Sequence, residues 1–440
     1  MNNQGVATLD DPAAVRRLID RLGFGPRPGE LATGVRAGYA ATARRLLAPA
    51  ADPGATATPL PDLGPEPDYA NKDKEARQRA REVLRDQRTT AFFWWLDRMS
   101  AADVPLTERL TWFWHGHFAT SAQKVNSARL MLAQNETMRR LGTGDFRALC
   151  EALIVDPAMI IWLDGQRNKI GKPNENLARE FMELFTLGIG NYSEKDVQEA
   201  ARALTGWQVD RRAGTVDVRP KQHDARDKTV LGSTANLDAV GLARLLADQP
   251  RAPRFVAERL WFRLVSGTPP ARDVVDRLTA AYGPNRDVRA MVDAITREPA
   301  FRDSANTLVK EPVLWAVGLM RALRVRPSAL PPQEKAQLNN YLKAMGQQPF
   351  LPPTVGGWPD GAAWLSTSAG LARMNLARLI ARRGDLGPLT GARDKPTALR
   401  ELLGVDAWSQ RTSSALGKVA GSVPDLVAVA ACAPEYVVSG

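Results

Sequence analysis

The chain has 440 residues, 44% hydrophobic and 24% charged, with two cysteines and three histidines; such ordinary globular usage excludes a disordered, collagen-like or disulfide-framed protein. The length allows one large or two ordinary domains, because single cores rarely grow past about 250–300 residues. Fifty-nine lysines and arginines against 48 acids give a formal charge of +11, which draws anionic partners at low salt; the excess is dispersed, and the lack of a basic motif or aromatic RNA-binding signature argues against nucleic acid as a partner.

In chain order, Met1 to Asp11 is polar and acidic with no apolar h-region. No secretory signal is read there, so the chain as given is expected in the cytoplasm, with export left open. No stretch approaches the roughly 18 apolar residues of a spanning helix. Asp11, Pro12, the stripe Val15, Leu18, Ile19 and Leu22, and Gly23 predict a capped helix with a glycine stop. Short helical patterns follow at 31–35 and 41–47, and the Pro/Ala-rich segment 49–68 reads as a loop. A charged helical run from Lys72 to Met99 carries Phe92, Phe93, Trp94 and Trp95, rings suited to anchoring a core between helices.

Thr107 to Ser121 holds His115 and His117 around Gly116, beside Trp112, Phe113 and Trp114. Residues two apart on a helix point about 200° away from each other, so both imidazoles face one ligand only if the helix ends here, an exit that Gly116 offers. Asn174 to Gly188 reads as a helix with Leu177, Phe181, Leu184 and Phe185 as its buried stripe. On it Glu180 and Glu183, three apart, share a face, and Glu175 can pair with Arg179. Ser193 with Asp196 fits a capping box, and Gly206 a stop. His223 and Asp224 then fall in a loop, the place where site residues commonly sit. A weak alternating strand pattern lies at Thr215 to Val218; amphipathic helical patterns recur at 240–246, 255–265, 288–295, 313–323 and 371–380. Cys150 and Cys432 read as small buried hydrophobes.

These elements predict a mainly α, multi-helical, bundle-like protein with long loops and little or no sheet. Its parts are N-terminal helices at 1–48, the 49–68 loop, a helical core carrying the candidate site at 69–235, and a C-terminal helical portion at 236–440 of one unit.

If the histidines converge, His115, His117 and His223 with Asp224, Glu180 and Glu183 make a borderline-soft site for Zn, Fe, Mn or Cu. Such a metal could generate hydroxide or host redox chemistry, with hydrolysis preferred over oxidation. Arg179 and Lys228 would then hold an anionic part of a small-molecule or polymeric substrate, and Glu175 would act as general base. The spacing matches no strong ligand motif such as His-Glu-x-x-His. The other reading is a non-catalytic scaffold or partner-binding protein whose polar residues form a satisfied network.

Several ordered blocks carry a resemblance: Arg21 to Pro26, Trp114 to Ser121, Asp156 to Met159, Asn174 to Glu180, Glu183 to Gly190, Asp196 to Trp207, His223 with Asp224, and Gly357 to Leu365. Together they resemble the bacterial family catalogued as domain of unknown function 1800, over nearly the whole chain. The resemblance implies a mostly helical fold and brings no established activity, cofactor or catalytic residue. It also implies that members are often exported and often accompany a second family resembling alkaline phosphatases and sulfatases, a partner class for this chain; the absence of a visible signal peptide departs from that pattern.

Overall fold

A computed structural model describes residues 11–49, 51–68 and 73–439. Met1 to Asp10, read above for an export signal, and Lys72, read as the start of the charged helix, lie outside them. The described chain is mainly α, as its periodicity predicts. The capped N-terminal helix is Asp11–Arg21, the short patterns become Glu30–Ala37 and Tyr39–Leu47, and the charged run becomes the 28-residue helix Lys74–Ala101. Segment 51–68 is loop but for the short Pro53–Thr56 helix, which Asp52 caps through the amide of Ala55. Helices over Ala239–Ala247, Arg251–Leu264, Val288–Arg297, Pro312–Ala322 and Thr367–Arg383 answer the five later amphipathic patterns.

Among the described residues, sheet is confined to three antiparallel pairs. Trp207–Asp210 pairs with Thr215–Val218, the one segment whose alternation is legible, Lys228–Val230 pairs with Ser233–Ala235, and Leu308–Val309 pairs with Val438–Ser439. The last pair ties the chain's end beside its first helix, where Arg21 donates to the Ser439 carbonyl at 2.8 Å.

Buried apolar side chains form two clusters. One is built from the N-terminal helices, the Phe146–Ile154 helix and the segments from 177 to 301; the other joins the Lys74–Ala101 helix to the C-terminal helices. The Leu106–His117 helix lies between them and feeds both, giving Leu110, Phe113 and Trp114 to the first and Trp112 to the second. This buried position is fixed by charge as well as by packing. Glu108 is 1% exposed, accepts from Arg139 at 2.6 and 2.9 Å, from Arg98 at 2.7 Å and from the Trp95 indole at 3.1 Å. Burial alone would raise its pKa, yet Arg139 and Arg98 hold it below the usual carboxylate range.

Two departures from expectation arise in the helices. The Leu106–His117 helix does not leave at Gly116 but runs one residue past it to His117, with Phe118 as its C-cap. The close crossing of backbones here requires Gly357 and not Gly116: Gly357 has φ 84° and a Cβ there would stand 2.3 Å from the Gly116 carbonyl oxygen, whereas a Cβ on Gly116 would only touch Trp358 at 3.7 Å. The Asn174–Gly188 segment is not one α-helix either. Asn176–Glu180 is α, and Phe181–Thr186 widens to a π turn in which the Thr186 hydroxyl donates to the Phe181 carbonyl at 2.6 Å. Leu177, Phe181 and Phe185 are buried as expected, while Leu184 is only half-buried. Cys150 is buried and Cys432 half-buried, and both are free.

Candidate functional site

Because the helix continues past Gly116, His115 and His117 keep the helical separation and turn into different cores. The ring of His115 is packed by Trp95, Trp112, Phe350 and Trp358, with centroids 5.0 to 6.2 Å apart in this group. The ring of His117 is stacked on Phe113 at 5.7 Å and enclosed by Trp114, Phe118, Phe185 and Phe255. No aromatic ring is shared between the two boxes. The convergence that a helix exit at Gly116 would have allowed is therefore not realised.

Their hydrogen bonds also differ. The Phe350 amide donates to Nε2 of His115 at 3.0 Å, which places the proton of that neutral ring on Nδ1. His117 does the opposite, since its Nε2 lies 2.8 Å from the Phe185 carbonyl oxygen, which can only accept. Its Nδ1 is then a bare lone pair, buried and with no hydrogen-bond partner among the described residues. Burial pushes both imidazoles down to about 3, with the charges of Arg259 and Arg263 adding to the effect at His117. Both are neutral at physiological pH.

His223 is placed as expected, in the loop before the Lys228–Val230 strand. Its Nδ1 meets the Thr205 carbonyl at 3.0 Å, and Gly206 at φ 90° lets that loop approach, since a Cβ there would lie 3.0 Å from the His223 nitrogen. Asp224 is buried beneath guanidiniums: Arg226 reaches it at 2.6 and 2.9 Å and Arg202 at 2.9 Å. These bonds hold its carboxyl far below the usual range, Arg226 contributing most. Lys228 is buried and donates to the Leu237 carbonyl at 2.8 Å and to Asn236 at 3.0 Å; burial lowers its pKa.

The glutamate helix forms a separate group. Arg179 bridges Glu175 at 2.9 Å and Glu194 at 2.6 Å, while Glu183 accepts from the Tyr192 hydroxyl. Glu180 is half-buried, and its pKa is raised by burial and by neighbouring Glu183. Glu180 apart, the polar residues expected to bind metal or substrate are thus each bonded to protein partners. Among the described residues no three His, Cys, Asp or Glu side chains are grouped so that they could hold a metal ion.

Two features escape the sequence reading. A cleft of 190 Å³ gathers Asp20, Arg21, Arg109, Arg263, Lys310, Glu311 and Asp360 from five segments distant in sequence. Its charges pair internally, Lys310 with Asp20 at 2.8 Å and Arg263 with Glu311 at 3.5 Å and with Asp360, while Trp112 and Gln347 donate to Glu311 at 2.9 and 2.7 Å. A much larger cavity, 770 Å³, opens where the Lys74–Ala101 helix meets the Ala128–Leu141 helix and segment 348–351. Arginines at Arg81, Arg85 and Arg88, spaced i, i+4 and i+7, are a local signal on one helix face; that they overhang a cavity depends on chain more than 250 residues away.

The fold and these sites define a multi-helical protein in which His115 and His117 are buried, His223 is half-buried, and most of the candidate polar residues pair within the chain. Its family is shown directly: the chain belongs to the family described as "Protein of unknown function (DUF1800)", whose sequence pattern matches residues 17–438. Neither a curated protein nor a solved structure matches it. No helix among the described residues is long and apolar enough to cross a membrane.

Proposed function

We propose that the chain is a non-catalytic helical scaffold or partner-binding protein, in which the histidines, glutamates and arginines ranked as a candidate active site are a structural polar network. The observation that carries this reading is the pair of closed aromatic boxes. His115 and His117 are both neutral, enclosed by rings and bonded to a main-chain group of another segment, His115 to Phe350 and His117 to Phe185. A buried imidazole in that state joins elements; it has no access to a substrate. Arg179 and Lys228, expected to hold a substrate anion, are supported in the same role by the bonds they make within the chain.

The competing reading, a metal-dependent hydrolase or oxidoreductase, requires Zn, Fe, Mn or Cu at these donors. Elemental analysis of the purified untagged chain, before and after reconstitution with each metal, separates the two. The expected result is no stoichiometric metal, and a His115→Ala/His117→Ala variant destabilised by about 3 kcal/mol or more in urea, as buried groups removed from packed sites are. Near-stoichiometric metal in the parent, lost from a variant that remains folded, would overturn the scaffold reading and restore the enzyme.

A further inference from the structure

The 770 Å³ cavity is within the size range of small-molecule sites, roughly 300–1,000 Å³. Its floor is apolar, made by Leu84, Phe92, Phe93, Met131 and Phe350, and its rim is basic, with Arg81, Arg85, Arg88 and Arg211 among the lining residues. No Asp or Glu lines it among the described residues. Arg211 donates to the Val125 carbonyl at 2.6 Å, and Arg88 donates to the Ala122 carbonyl and, at 2.9 Å, to Asn126. Among the described residues the Arg85 side chain meets its exposed chain neighbour Asp86, at 3.4 Å, a weak pair. Like charges at i, i+4 repel, so this row is more stable when an anion lies across it.

The back wall is held in place with some strain. Phe350 has φ 66°, a left-handed backbone that costs a bulky residue on the order of 1–3 kcal/mol. It is fixed on both sides, its amide donating to His115 at 3.0 Å and its carbonyl accepting from the Ala122 amide at 2.8 Å. These two bonds hold the Phe350 backbone where its ring lines the cavity.

We propose that this cavity is a binding site for an amphipathic anion, a carboxylate on a long apolar chain, with the head at Arg81 and Arg85 and the chain between Phe92, Phe93, Met131 and Phe350. The proposal rests on the cavity's own lining and not on the scaffold reading, and its test reads probe binding separately from metal content.

Titration calorimetry of the full chain tests it, with monomeric dodecanoate as probe and dodecyltrimethylammonium and acetate as comparisons. One saturable site for dodecanoate is expected, with the cation and the chainless anion weaker by at least about tenfold, or about 1.4 kcal/mol. Arg81→Glu/Arg85→Glu removes the head contacts and Thr89→Trp, at an exposed lining residue, fills the mouth; each should weaken dodecanoate by about tenfold or more while melting as the parent does. Absence of saturable binding, equal binding of the cation, or unchanged affinity in both variants would overturn the proposal. So would binding to phosphatidylglycerol vesicles alone, with no site for the monomer.

Discussion

At the scale of single residues the buried titrating groups set how stability depends on pH. Unfolded histidine takes up a proton below about 6.5, whereas folded His115 and His117 stay neutral down to about 3. Unfolding therefore binds protons across that window, and stability falls as pH falls, by up to about 1.4 kcal/mol per pH unit for each. Asp156, capping its helix through Met159 and accepting from Gln134 at 2.7 Å, works in the opposite sense. Burial pushes its carboxyl up to about 7, so the folded state keeps a proton that the unfolded chain loses near 4, and stability falls as pH rises between those values. A His115→Gln variant should lose about 1.4 kcal/mol per pH unit of slope between about pH 4.5 and 6, read from urea midpoints; an unchanged slope would mean the ring is not buried and neutral. Glu108→Ala leaves Arg139 buried without its partner, and a loss of about 3–5 kcal/mol is expected by the same measurement, against little change for a pair that was merely exposed.

At the scale of elements the π turn at Phe181–Thr186 positions one of the histidine boxes. Widening the helix delivers the Phe185 ring and carbonyl to His117, and the Thr186 hydroxyl closes the turn on Phe181. Thr186→Val keeps the shape and deletes that hydroxyl, so a loss of about 1–2 kcal/mol is expected, with Thr186→Ser restoring most of it. Equal stability of the two variants would show that the hydroxyl contributes nothing to the turn. The capping box shows the contrary case of an element written locally: Ser193 and Asp196 bond each other's amides at 3.2 and 2.8 Å, as their spacing predicts. A π turn has no such spacing rule, because an α and a π turn share nearly the same residue preferences.

At the scale of the whole molecule the Leu106–His117 helix joins the two hydrophobic clusters, as the Ala128–Leu141 and Pro157–Trp162 helices also do. Burying faces of one helix in both should couple their unfolding, and calorimetry is expected to give one transition with calorimetric and van't Hoff enthalpies nearly equal. Two resolved transitions would mean the clusters unfold independently. The amino-acid sequence alone determined the family, the helical class, most helix positions and caps, and the one hairpin strand with visible alternation, because periodicity, capping and glycine stops act within a few residues. It also contained the 200° separation of His115 and His117, but left open whether the helix continued through Gly116. Only the tertiary structure decided that: Trp358 and Gly357, some 240 residues downstream, close over this helix and fix its last turn. The arginine-rimmed cavity and the charged cleft were decided in the same way, since each is assembled from segments whose meeting depends on packing across the whole chain and on no local pattern.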